Sequence, residues 1–276
     1  MYDYTNEFLK FIGFESDIIS SDKDKKDIKD LYTIYQEFNI EEYYYETSYP
    51  SELLEEAKDN FINAYVKIRD LKKRTYHILY ALANLARVID KLSLLDQNML
   101  LISVETIFNF LDSALKIYPT SGAVFLLKGK ISEFDVRYNG YTIPNYQFAI
   151  EFSSNKNDAY YAMGQYYERR QKDVTMAKKY YIKAIMENHF DYRTMYQIAC
   201  IDMNEKNYIA AAERLNIISN ILEKKKSEKS LHLPDYTMLN KTYTLLFQLY
   251  NGVLDDSEKR DIYDERLKTL KTERQF

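Results

Sequence analysis

A single cysteine, Cys200, stands among 276 residues, so no internal disulfide can staple this chain. Tryptophan is absent, and 6 glycines and 4 prolines are too few to interrupt the backbone often. Long helices are expected, and with them an all-α fold. The 3 histidines, His77, His189 and His232, are far apart in sequence, which leaves no pair one helical turn apart of the kind that holds zinc. Gly122, Gly129, Gly140 and Gly164 never assemble the spacing of a phosphate loop, and no strand precedes them. No cofactor and no metal is therefore expected. No run of 18 apolar residues occurs, so no membrane-spanning helix is expected. The opening MYDYTNEFLK lacks the basic start and apolar centre of a secretory signal. Together with the lone cysteine this points to a cytoplasmic protein.

Charge is present and unevenly spread. Residues 1–60 carry sixteen acidic and six basic side chains, a net −10, which against −4 for the whole chain leaves +6 for residues 61–276. A front of that sign is repelled by phosphates, so nucleic acid is not an expected partner. Tyrosine occurs 28 times, and its expected use is packing between helices. Glu41 and Glu42 are adjacent carboxylates of a solvated kind with no acid–base signature.

Apolar periodicity places a short helix within residues 2–14 (Phe8, Leu9, Phe11, Ile12, Phe14) and a second, capped by Ser21 or Asp22, through Ile28, Leu31, Ile34, Tyr35 and Phe38. An acidic connector with Tyr43, Tyr44 and Tyr45 ends at Pro50 and reads either as packing or as a docking peptide. Helices follow over Leu54–Leu71 and Tyr76–Ile89, joined at Lys72-Lys73-Arg74, and Asp96-Gln97-Asn98 forms the next turn. Lys224, Lys225 and Lys226 suit a helix C-terminus, where the backbone dipole favours cations. Pro234 starts a helix stopped by Asn251-Gly252, and Ser257 starts the last one.

A ladder with a step of 35 residues runs through the middle: Gly129 and Gly164; Ala114, Ala149 and Ala184; Leu111, Tyr146 and Tyr181; Phe125, Tyr160 and Met195. Small residues at such places let two helices approach, and the larger ones fill the seam. Self-similarity at this period marks a helical solenoid. Tyr160, Met163, Gly164, Tyr167, Ala177, Tyr181 and Ala184 match the tetratricopeptide repeat (TPR) pattern residue by residue. Ile198, Ala199, Tyr208, Ala211 and Leu215 match the next repeat, and Pro119 falls where the family ends a second helix. Over residues 98–222 the chain resembles the TPR family; one extra turn residue lies within Arg169 to Asp173, and Asp173 ahead of Ala177 and Tyr181 resembles the Sel-one-like variant of the same solenoid. Thr142 departs from the pattern, and the loop Tyr138 to Pro144 is irregular.

The resemblance implies a right-handed α-α superhelix with atypical N-terminal helices and a C-terminal capping helix pair. Residues 1–74 would be an acidic helical segment and cap, and residues 75–276 a solenoid of three to four repeats. It also implies a concave groove lined by first helices. By register the groove residues are Lys130 and Glu133; Asp158, Tyr161, Gln165, Glu168 and Arg169; and Arg193, Tyr196, Gln197 and Cys200. The implied function is a non-enzymatic scaffold or adaptor that binds a protein or peptide, or alternatively an intracellular receptor for a short signalling peptide. An enzyme would have to draw on His189 and Cys200 near the irregular loop. The acidic front is expected to lie against the basic remainder, with Lys130, Arg169 and Arg193 as its partners.

Overall fold

The computed structural model describes residues 6–14, 22–38, 40, 51–93, 102–228, 231 and 233–273. The tyrosines at 43–45, the turn at 96–98 and His232 lie outside them. Within the described residues every regular element is helical. Internal packing divides the chain into two compact units, Met1–Ser154 and Asn155–Phe276.

The first unit contains α1 (Asn6–Phe11), α2 (Asp22–Glu37), α3 (Ser51–Asp70), α4 (Tyr76–Ser93), α5 (Val104–Ile117), α6 (Gly122–Ser132) and α7 (Thr142–Phe152). Helix α4 sits at its centre. All nine residues from Ile78 to Ala86 are buried, and a helix apolar on every side needs cover on every side. Helix α1 supplies part of that cover through Phe8, Phe11 and Ile12. So short a helix leaves its last carbonyls unpaired, and α4 provides donors. Asn84 Nδ2 donates to Phe11 O at 3.4 Å, Tyr76 Oη donates to Gly13 O at 2.9 Å, and His77 Nδ1 lies 3.2 Å from Ile12 O. Burial lowers the His77 pKa. Gly13 turns the chain at φ +62°, and its α-carbon faces the Tyr80 ring so closely that an added Cβ would stand 2.6 Å from Cγ.

One core therefore runs from Phe8 to Ile131. Residues on both sides of position 74 share that core, and the two compact units meet in sequence between Ser154 and Asn155. Part of the acidic front has partners nearby. Asp27 and Asp30 of α2 pair with Lys73 at 2.5 and 3.3 Å, and Glu37 pairs with Lys67. These three carboxylates are met by cations of their own unit, and Lys73 makes the joint Lys72-Lys73-Arg74 more than a solvated turn.

The second unit contains α8 (Asn157–Tyr166, extended by a π turn over Tyr167–Gln171), α9 (Val174–Glu187), α10 (Tyr192–Asn204), α11 (Tyr208–Ser227), α12 (Leu233–Gly252) and α13 (Ser257–Glu273). These form three hairpins. Asp173 caps α9 by accepting from Met176 N at 2.9 Å, and Asp191 caps α10. The π turn absorbs the extra residue that lengthens this repeat: Lys172 takes the left-handed conformation, φ 57°, and Asp173 N bonds back to Tyr167 O at 2.9 Å. Pro234 and Gly252 bracket α12 as the sequence predicts. The lysine run ends α11, where Lys225 pairs with the buried Asp235 at 3.0 Å.

Candidate functional site

The ladder residues occupy equivalent places. Ala114, Ala149 and Ala184 are fully buried in α5, α7 and α9. In the α6–α7 hairpin the Tyr146 ring lies against Gly129, and in α8–α9 the Tyr181 ring lies against Gly164. An alanine Cβ at either glycine would stand 2.5 Å from ring carbons. Each ring passes its first helix at the glycine and delivers its hydroxyl to the glutamate one turn on. Tyr146 Oη donates to Glu133 at 3.0 Å, and Tyr181 Oη donates to Glu168 at 2.6 Å. Burial, then the Glu168 carboxylate, raises the Tyr181 pKa, so the phenol stays protonated. In α10–α11 the glycine is replaced by Ala199, the tyrosine by Leu215, and the glutamate by Met203. The three substitutions belong together: a Cβ on the first helix leaves room for leucine only, and without a hydroxyl no acceptor is required.

Two of the expected groove residues have partners within their own hairpins. Glu133 and Glu168 are seam residues whose carboxylates serve the tyrosines of their own hairpins. Their periodic position on the first helix is the same one a ligand contact would have. Lys130 is exposed at the end of α6. The loop at 138–144 is pinned: Tyr138 stacks on Phe108 with centroids 4.3 Å apart, and Arg137 pairs with Glu105 and with Asp135. Asn139–Tyr141 is a single 3-10 turn leading into α7.

In the second unit, helices α8 and α10 bring most of the remaining residues together. Arg193 pairs with Asp158 at 3.0 Å and with Asp191 at 3.1 Å, and its guanidinium lies 5.5 Å over the Tyr161 ring. Gln165 Nε2 donates to Tyr161 Oη at 3.0 Å, and burial raises the Tyr161 pKa. Tyr161, Gln165, Tyr196, Gln197 and Cys200 are all partly exposed. Burial, then the neighbouring Cys200, pushes the Tyr196 pKa up to about 12. Burial raises the Cys200 thiol as well, the opposite of the shift that activates a nucleophile. His189 is exposed in the turn between α9 and α10. Sequence reasoning missed Lys241 on α12, whose charge acts on Cys200. Its helix lay beyond the readable repeats, and no register assigned its face. Among the described residues no group of three His, Cys, Asp or Glu side chains is placed to hold a metal ion, and no helix is long and apolar enough to cross a membrane.

Asp191 anchors this arrangement. Nearly buried, it accepts from Thr194 Oγ1 at 2.6 Å and from Asn157 Nδ2 at 3.0 Å, besides Arg193. Burial opposes its charge, but Arg193 and these donors prevail and hold its carboxyl below the ordinary aspartate range. A depressed folded-state pKa contributes stability above the unfolded value that is lost as pH falls through the folded one. The melting temperature of the wild type is expected to fall more steeply below about pH 4 than that of Asp191→Asn. Parallel melting profiles would show that the carboxylate contributes nothing.

No family model matches the chain, and no curated protein resembles it closely enough to be matched. Among solved structures, one described as the functional characterisation of Pseudomonas aeruginosa pilF is similar over 89% of this chain and 93% of its own, with a TM-score of 0.54 and 14% identity. PilF is a TPR-containing protein. With the helices, seams and step described above, this likeness shows that the chain has an all-α, TPR-like helical-repeat fold.

Proposed function

We propose that the chain is a non-enzymatic scaffold or adaptor, and that its second unit holds a protein or peptide segment against the face of α8 and α10. A TPR-like fold is in general one for protein interaction. The observation that carries the proposal is the row formed by Tyr161, Gln165, Tyr196 and Gln197 on consecutive first helices. These are aromatic and amide side chains, partly exposed, where packing alone would call for aliphatic residues or leave charged ones in water. Tyrosine combines contact area with a directional hydrogen bond, and amides can pair with the backbone of an extended segment.

Selection of a random peptide library on the full-length chain, repeated on Tyr196→Ala and Gln197→Ala, tests this. Enriched peptides are expected to lose at least about fivefold in affinity on each variant, since truncating an interface anchor costs more than ~1 kcal/mol. Selections that enrich nothing, or peptides indifferent to both substitutions, would overturn the proposal.

A further inference from the structure

Asn-Gly occurs twice in this chain, at Asn139-Gly140 and at Asn251-Gly252. A glycine after asparagine leaves its backbone nitrogen unshielded by any side chain, so that nitrogen can attack the carboxamide before it. All four residues are exposed, and a Cβ built on either glycine would meet nothing within 4 Å. By sequence and surroundings the two pairs are alike, and the backbone separates them. Asn139 and Gly140 lie in the single 3-10 turn between Tyr138, which is stacked on Phe108, and the start of α7. Among the described residues the Gly140 N–H has no acceptor, and the Asn139 carboxamide makes no hydrogen bond. Bringing that nitrogen to the carboxamide carbon, Cγ, turns the ψ angle of Asn139. The hydrogen bonds across this rotation are those of one turn, Tyr141 N to Tyr138 O at 2.9 Å and Thr142 N to Asn139 O. Gly252 instead closes α12, and its N–H belongs to the helical ladder. Beyond it Val253 N and Leu254 N both bond Leu249 O, at 3.1 and 2.9 Å, and Asp256 N bonds Tyr250 O at 3.0 Å. The same rotation at Asn251 would break all of these.

We infer that Asn139 is a site of spontaneous deamidation, from which the end of α12 protects Asn251. The Gly140 nitrogen gives up its proton to hydroxide and bonds to Asn139 Cγ; the Cγ–Nδ2 bond breaks, and ammonia leaves with a proton from water. The product is a five-membered imide. Water opens it at either carbonyl, giving aspartate when the bond to Cγ breaks and isoaspartate when the bond to the backbone carbonyl carbon breaks. Nothing is oxidised, and the balance is one water consumed for one ammonia released. Either product puts a carboxylate into the loop that exposes Phe134, Val136 and Tyr141. Isoaspartate also adds a carbon to the backbone of the turn that leads into α7.

Incubation of the full-length chain in mildly alkaline buffer, beside a sample in concentrated urea, tests this. Tryptic peptides 138–156 and 242–259 report the two sites, and fragmentation in the mass spectrometer locates the converted residue. In the folded chain Asn139 is expected to convert at least about tenfold faster than Asn251, because more hydrogen bonds must open at the helix end and each slows the reaction several-fold. In urea the two are expected to convert at similar rates, and isoaspartate is expected among the products at 139. Gly140→Ala, which the open surroundings admit, is expected to slow conversion at 139 by about tenfold, since its methyl group crowds the attacking nitrogen. Equal or reversed rates in the folded chain, or a difference that persists in urea, would overturn the inference. So would products without isoaspartate, or a rate indifferent to Gly140→Ala.

Discussion

Replacing Gly164 by alanine is expected to destabilise the second unit by about 1–3 kcal/mol, the usual cost of overfilling a packed core. The new Cβ would overlap the Tyr181 ring at 2.5 Å, and the ring has no easy retreat. Its hydroxyl is held by Glu168 at 2.6 Å, and its body is sealed among Ala177, Ile198 and Ile201. The remedy is written elsewhere in the same chain, where Ala199 faces Leu215. The double substitution Gly164→Ala with Tyr181→Leu is therefore expected to regain most of the loss, leaving a coupling of about 1–2 kcal/mol in a double-mutant cycle. Urea denaturation of the four proteins decides it. A harmless Gly164→Ala, or a double variant no better than the sum of its parts, would show that the ring is not held against the glycine.

Gly13→Ala is expected to be costlier still, at about 2–4 kcal/mol, because two penalties act at one residue. An L-residue at φ +62° bears roughly 1–2 kcal/mol of backbone strain, and its Cβ would meet three Tyr80 ring atoms within 2.8 Å. The segment that would let go is α1 with Ile12, so hydrogen exchange should quicken first at amides bonded there, such as Ile12 N to Phe8 O. Unchanged exchange at those amides would mean that the turn does not hold α1 on α4.

The fold was legible because hairpin packing leaves a periodic record. Gly129, Gly164, Ala149 and Ala184 are small wherever two backbones approach, and that requirement shows in one sequence without an alignment. The N-terminal boundary was not legible, since what joins α1 and α2 to α4 is burial from all sides, and burial has no period. The site was half legible for a different reason. Register places a residue on the first helix but does not distinguish a side chain facing solvent from one receiving a hydroxyl across the seam. Register places Glu133 and Glu168 in the expected groove, and the spacing from Gly129 to Tyr146 and from Gly164 to Tyr181 points to the tyrosines they serve. The engagement of Arg193 with Asp158 and Asp191 depends on rotamers that no spacing encodes.

The seam also restricts the order in which its residues can change. A hairpin can pass from the glycine–tyrosine form to the alanine–leucine form by first shrinking the ring, which leaves a hole, and only then adding the methyl group. Adding the methyl group first runs through a steric overlap. The two forms seen in this chain are thus joined, in either direction, by a glycine–leucine intermediate.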